Sequence, residues 1–136
     1  MKKKYKIAHM KVAQVYANLS HCNRRKVGCV IVKHDNIIAI GYNGTPTGAD
    51  NCCEGSDGTT ISTVIHAEDN ALRKLTRSAE SAKGSTLFVT TAPCLACAIR
   101  IVDAKVKAVY YTEIYRTDAG LNYLADSGIK THKISV

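Results

Sequence analysis

Four residues constrain this chain more than any others: His66 and Glu68, two apart, and Cys94 and Cys97, three apart and led by Pro93. One imidazole and two thiolates fill three corners of a tetrahedral zinc site, so any fold that uses them must bring two distant stretches to one point. Cys pairs at this spacing are common in closed structural zinc sites, which draw their remaining ligands from a second Cys/His pair. Here the first half supplies His66 and then a carboxylate. A hard carboxylate suits two thiolates poorly as a co-ligand, but it suits a water at the open fourth corner well as a proton carrier. His66, Cys94 and Cys97 are therefore read as the metal ligands of a catalytic zinc site and Glu68 as its acid/base. Without the Cys pair, Glu68 would read as an ordinary first-turn acid favoured by the helix dipole.

The surrounding pattern places both halves at helix starts. Residues 62 to 79 carry Ile65, Leu72 and Leu75 near helical spacing, with His66 and Glu68 in the first turns. Residues 86 to 91 form a short β-branched and aromatic run, a buried strand. Pro93 suits the first position of the next helix, which sets Cys94 and Cys97 on one face. Residues 5 to 19, with Ile7, Met10, Val15 and Leu19, read as an amphipathic helix. Residues 27 to 32 and 37 to 40 read as strands of a hairpin turning at His34, Asp35 and Asn36. A loop of Gly, Asp and Cys from 44 to 58 precedes the metal-bearing helices. A strand at 108 to 111, a helix at 119 to 126 and a strand from 128 to 135 complete the chain. With no repeat, linker or low-complexity tract, residues 1–136 are expected to form one α/β domain, a mixed sheet sandwiched by helices.

The formal charge of +8 points to anionic partners. The loop cluster Arg24, Arg25 and Lys26 is favoured for phosphate over Lys2, Lys3 and Lys4, which read as a frayed, solubilising terminus. No run of residues is long and apolar enough to span a membrane, and the N-terminus lacks the apolar core of a signal peptide. Two of six Cys are claimed by the metal pattern and Cys29 sits in an apolar strand, so a reducing, cytoplasmic setting is expected.

The His66-Ala67-Glu68 and Pro93-Cys94-Leu95-Ala96-Cys97 motifs resemble those of the zinc-dependent nucleotide deaminases. Val27-Gly28, Gly41-Tyr42-Asn43-Gly44, Asp69-Asn70-Ala71 and Tyr115 narrow the resemblance to the deoxycytidylate (dCMP) deaminases, over nearly the whole chain. The resemblance implies a cytidine deaminase-like three-layer α/β/α sandwich with a five-stranded mixed sheet. It implies hydrolysis of dCMP to dUMP and ammonia, supplying a thymidylate precursor. It puts Asn43 on the deoxyribose, the Ala67 backbone on the cytosine edge and Tyr115 on the ring. Arg24 and Arg116 are the candidates for the 5′-phosphate, because a guanidinium fork matches its oxygens. It further implies a homohexamer activated by dCTP and inhibited by dTTP, with Gly41, Tyr42, Asn43 and Gly44 at the effector site, Ile38, Ala39 and Ile40 beside it, and Mg2+ accompanying a triphosphate. Some relatives hold a second zinc through Cys residues and a His. Cys22, Cys52 and Cys53 could supply thiolates, but no His lies between Glu54 and Ile65 and His21 is the one nearby imidazole. One catalytic zinc and free buried thiols are expected.

Three other functions compete. A deaminase acting on nucleic acid would need exposed stacking groups, and this chain has no Trp and one Phe. A nucleoside deaminase would need no phosphate contacts. A nucleotide-sensing module would keep the fold without turnover.

Overall fold

Strand β3 (Thr86–Thr91) is buried along its whole length and forms the centre of the molecule. The computed structural model describes residues 1–136. The sheet runs β2-β1-β3-β4-β5, with β1 (Gly28–Lys33) antiparallel to both β2 (Asn36–Tyr42) and β3. β4 (Ala108–Glu113) and β5 (Lys130–Lys133) lie parallel to β3. Four helices complete the chain: α1 (Lys3–Ala17), α2 (Ala67–Leu75), α3 (Leu95–Asp103) and α4 (Ala119–Asp126).

Alternation along the strands sorts the core into two layers. Val30, Val32 and Phe88 meet Met10 and Ala13 of α1 on one face. Cys29, Ile31, Leu87, Val89 and Val109 meet the apolar residues of α2, α3 and α4 on the other. This is the expected three-layer sandwich with a five-stranded mixed sheet. At the β1–β2 hairpin, His34 and Asp35 both adopt positive φ (50° and 62°), the two-residue turn whose twist matches the strands it joins.

Several expected boundaries move, each for a physical reason. The second helix begins at Ala67, not near 62, because Ile65 pairs with Gly44 through backbone hydrogen bonds of 2.8 and 3.1 Å and is held extended. It ends at Leu75, where the Thr76 hydroxyl donates to the Arg73 carbonyl. Pro93 precedes α3 rather than opening it, and Cys94 is the cap residue. In α1 the buried stripe is Met10, Ala13 and Ala17, while Val15 and Leu19 face out. Small alanines win there because the helix rides directly on β1. Lys3 and Lys4 belong to α1 and are not a frayed end. β5 is shorter than expected, spanning four residues. No helix is long and apolar enough to cross a membrane.

Candidate active site

His66 and Cys94 are the N-cap residues of α2 and α3, and neither side chain caps its own helix. Both are free to turn toward a shared point. His66 Nδ1 lies 3.5 Å from Cys94 Sγ and 3.3 Å from Cys97 Sγ, the latter in the first turn of α3. Ligands about 2.0 to 2.3 Å from one tetrahedral ion stand roughly 3.5 Å apart, so these three donors fit a single zinc and leave a corner open.

The electrostatics agree with the donor geometry. The Cys94 thiol is pulled down to about 4, first by its hydrogen bond with Cys97 and then by His66. Cys97 moves the opposite way, because it yields the charge to Cys94 and is buried. His66 is raised by its contact with Cys94. One thiolate is thus stabilised at the positive ends of two helices, the form that binds metal. Glu68, buried in the first turn of α2, has its carboxyl pushed up to about 7 by desolvation.

Close packing fixes both helix starts, that of α2 against the sheet and that of α3 against α4. A Cβ on Gly41 would run into the Ala67 carbonyl and the Ala71 amide, so α2 rests directly on β2. Asn70 donates to the Tyr42 carbonyl at 2.8 Å and adds a second tie. Gly120 of α4 abuts the Pro93 carbonyl and Cys94 in the same way. Asp69 accepts from Arg73 of α2 at 3.2 Å and faces Arg100 of α3 at 3.8 Å.

His66, Glu68 and Cys94 line a cavity of about 430 Å³. Its outer wall carries three guanidinium residues, Arg24, Arg25 and Arg116, with Tyr115 among them. Arg25 and Arg116 stand 5.6 and 5.5 Å from the Tyr115 ring centroid. Asn43 is buried at the edge of the cavity. Its Oδ1 accepts from Val27 N at 2.9 Å, its Nδ2 donates to the Arg25 carbonyl at 2.7 Å, and its own carbonyl accepts from the Ser20 hydroxyl at 2.8 Å. The side chain therefore spans β2 and the arginine loop.

A family model described as the cytidine and deoxycytidylate deaminase zinc-binding region matches residues 3–113. The chain belongs to this deaminase family. It is 38% identical over 93% of its length to the deoxycytidylate deaminase of Saccharomyces cerevisiae, and 39% identical over 81% to that of Schizosaccharomyces pombe. It spans 43% and 37% of those two proteins, less than half of each. The crystal structure of a dCMP deaminase from the cyanophage S-TIM5, in complex with dCMP and dUMP, superposes with a TM-score of 0.97 at 46% identity, covering 98% of this chain and 99% of the phage protein.

The deaminase fold gathers most of the residues singled out in the sequence. Arg24, Asn43, Ala67, Glu68, Tyr115 and Arg116 line one cavity with His66 and Cys94, and Cys97 lies buried beside them. Of the four residues from Gly41 to Gly44, only Asn43 lines it. Gly41 faces α2, the Tyr42 carbonyl takes Asn70, and Gly44 pairs with Ile65. Ile38 and Ile40 pack on opposite layers of the core. Arg25 was visible only as part of a basic cluster, and Glu54, Thr59 and Thr60 carried no motif at all. Cys22 and Cys53 correct the expectation of free thiols: they are joined in a disulfide. Cys53 lies far along the chain from Cys22 within an irregular loop, and no local pattern announces the pairing. Their sulfurs lie within metal-ligand reach of Glu54, whereas Cys52 and His21 stand outside that group.

Proposed function

We propose that this chain hydrolyses dCMP to dUMP and ammonia. The carrying observation is that three arginines and an aromatic ring share one cavity with the His66, Cys94, Cys97 and Glu68 constellation. Guanidinium forks suit a 5′-phosphate, and an aromatic face suits a pyrimidine held over the reacting end. The recorded ligands of the S-TIM5 enzyme support the same substrate.

His66, Cys94 and Cys97 would hold the zinc, which would supply Lewis-acid activation of a water and lower its pKa toward about 7. Glu68 would take a proton from the water that adds to C4 and deliver it to the ring nitrogen as the C4–O bond forms. The carboxylate would then take the second proton, from the new C4 hydroxyl, and pass it to the amino group, so that the C4–N bond breaks, ammonia leaves and C4 becomes a carbonyl. Glu68 is buried in the first turn of α2, two residues from His66, where a carboxylate can exchange protons with the reacting groups. The Ala67 backbone meets the cytosine edge, Asn43 the deoxyribose, and Arg24 and Arg116 the phosphate, with Tyr115 against the ring. We further assign the reaction to thymidylate precursor supply in the cytoplasm by a homohexamer. In that assembly dCTP, with Mg2+, activates and dTTP inhibits at the segment from Gly41 to Gly44.

Ammonia release by the zinc-loaded protein from dCMP, deoxycytidine and a cytosine-containing single strand tests the reading. The expected outcome is turnover of dCMP, a preference over deoxycytidine of at least about 10²-fold, and a fall on Glu68→Ala of about 10³-fold or more. Addition of dCTP and dTTP should raise and lower that turnover. Turnover of the strand in place of dCMP would move the assignment to nucleic-acid deamination, and no turnover of any substrate would leave a nucleotide-binding module.

A further inference from the structure

The irregular segment from Cys53 to Ile61 is folded upon itself. Ile61 donates to the Cys53 carbonyl at 2.8 Å, and Gly55 donates to the Thr59 carbonyl at 2.8 Å. Two fasteners join it to the arginine loop. One is the Cys22–Cys53 disulfide. The other is the Glu54 carboxylate, which accepts from the Asn23 amide at 3.2 Å and the Arg24 amide at 3.4 Å. Both land on residues 22 to 24, where the chain enters the wall that carries Arg24 and Arg25. Cys22, Glu54, Thr59 and Thr60 all line the cavity.

We infer that Cys22 and Cys53 form a reversible disulfide that sets the affinity of this cavity for a phosphorylated substrate, the bonded form holding the Arg24 and Arg25 wall in place. The inference rests on the dCMP reading for the nature of the ligand. No other pair of thiols shares this position. Cys29 is buried in β1, Cys94 and Cys97 face the metal site, and the Cys52 Sγ turns to the Glu54 carbonyl at 3.1 Å. Cys22 and Cys53 are shielded from bulk solvent, but Cys22 borders the cavity, which gives a small dithiol its route. A thiolate of that dithiol attacks one sulfur, the Cys22–Cys53 bond breaks, and the second dithiol sulfur closes the mixed disulfide. Two electrons and two protons pass to Cys22 and Cys53, which end as thiols, and the dithiol ends as a cyclic disulfide; the reverse exchange, with a small-molecule disulfide taking up the two electrons and two protons, re-forms the bond. The Glu54 contacts then hold the two loops alone, and the arginine wall loses its preorganisation. His66, Glu68, Cys94 and Cys97 ride on α2 and α3, so the chemical step is insulated.

The test uses the zinc-loaded full chain, untreated or treated with dithiothreitol, with zinc content checked at one per chain throughout. Thiol labelling reports Cys22 and Cys53, hydrogen exchange reports residues 20 to 27 and 51 to 61, and kinetics report KM and kcat for dCMP. Reduction should speed exchange in both loops and raise KM about tenfold while kcat moves less than about twofold. A Cys22→Ser, Cys53→Ser variant should show the reduced-state KM and no response to dithiol. If that variant fails to fold, the dithiol titration of the natural chain with hydrogen exchange still decides. The inference is overturned if both thiols label freely before and after mild oxidation, or if a second zinc occupies the unbonded pair in the isolated protein. It is equally overturned if reduction leaves exchange and KM unchanged, or if the double variant responds to dithiol as the natural chain does. Absence of dCMP turnover in either redox form would sink the proposed activity, while the exchange measurement would still judge the clamp.

Discussion

Replacing Gly41 by Ala tests whether β2 sets the position of the catalytic helix. The added Cβ would sit 2.6 Å from the Ala71 amide nitrogen, where ordinary contact begins at 3.4 Å, and closer still to the Ala67 carbonyl. Both obstacles are helix backbone, so no rotamer change relieves them. Helix α2 must retreat from the sheet by about 1.0 Å, from 2.4 Å at the Ala67 carbonyl, to restore contact distance. Overpacking of this kind costs about 1 to 3 kcal/mol. For a domain of this size that is a fall in Tm of roughly 3 to 10 °C. His66 and Glu68 move with α2 while Cys94 and Cys97 stay with α3, and a misplacement on the order of 1 Å costs about 10²-fold in rate. Thermal unfolding of the zinc-loaded variant together with kcat for dCMP measures both effects. If Gly41 served only as an effector contact, the variant would lose its response to dCTP and dTTP while keeping its Tm and its basal kcat. A Tm within about 1 °C of the natural chain at unchanged kcat would refute the packing argument.

Two further outcomes follow from hydrogen bonding and charge. Asn43→Ala leaves the Val27 amide and the Arg25 carbonyl without their partners, which should cost about 2 to 3 kcal/mol in urea unfolding and raise KM for dCMP; unchanged stability would show that water replaces the amide at no cost. The Glu68 carboxyl is raised to about 7 from 4.5, so the folded chain binds more protons than the unfolded one between those values. Its burial therefore costs nothing below about pH 4.5, destabilises increasingly as pH rises, and levels off above about pH 7 at up to about 3 kcal/mol. In chelator-treated protein, Glu68→Gln should gain stability over the natural chain at pH 8 but not at pH 4.5, and a pH-independent difference would contradict the assigned shift.

The metal centre was legible because its chemistry demands particular residue types at fixed spacing, and His66, Cys94 and Cys97 converge as the motif requires. Glu68 accompanies them, buried in the first turn of α2. Helix and strand order followed from hydrophobic period, but boundaries slipped where a non-local contact overrode local preference. The Gly44–Ile65 pairing held His66 at a cap position, and the contact of α1 with β1 turned Ala13 and Ala17 inward in place of Val15 and Leu19. Gly41 and Gly44, singled out by resemblance alone, also serve the fold, as a close-packing contact and a bridge respectively, because a glycine in sequence does not say which of its two freedoms is in use. The cavity wall was least legible. Arg25, Glu54, Thr59 and Thr60 come together only through tertiary placement of two irregular loops, and the Cys22–Cys53 bond leaves no trace in periodicity or local spacing.

The two sides of the cavity differ in mechanical character. The reacting side is built from helix starts packed against the backbone of β2 and of α4, where a single added methyl is not tolerated. The facing side is built from irregular loops held by side chains and a covalent tie. Changes at its exposed positions, Arg24, Arg25 and residues 56 to 60 among them, leave the core untouched and incur little folding penalty. A lineage, or an engineer, could therefore retarget this scaffold to a different ring or anionic tail by rewriting the exposed positions among residues 20 to 27 and 51 to 61, while the constellation of His66, Glu68, Cys94 and Cys97 is inherited whole.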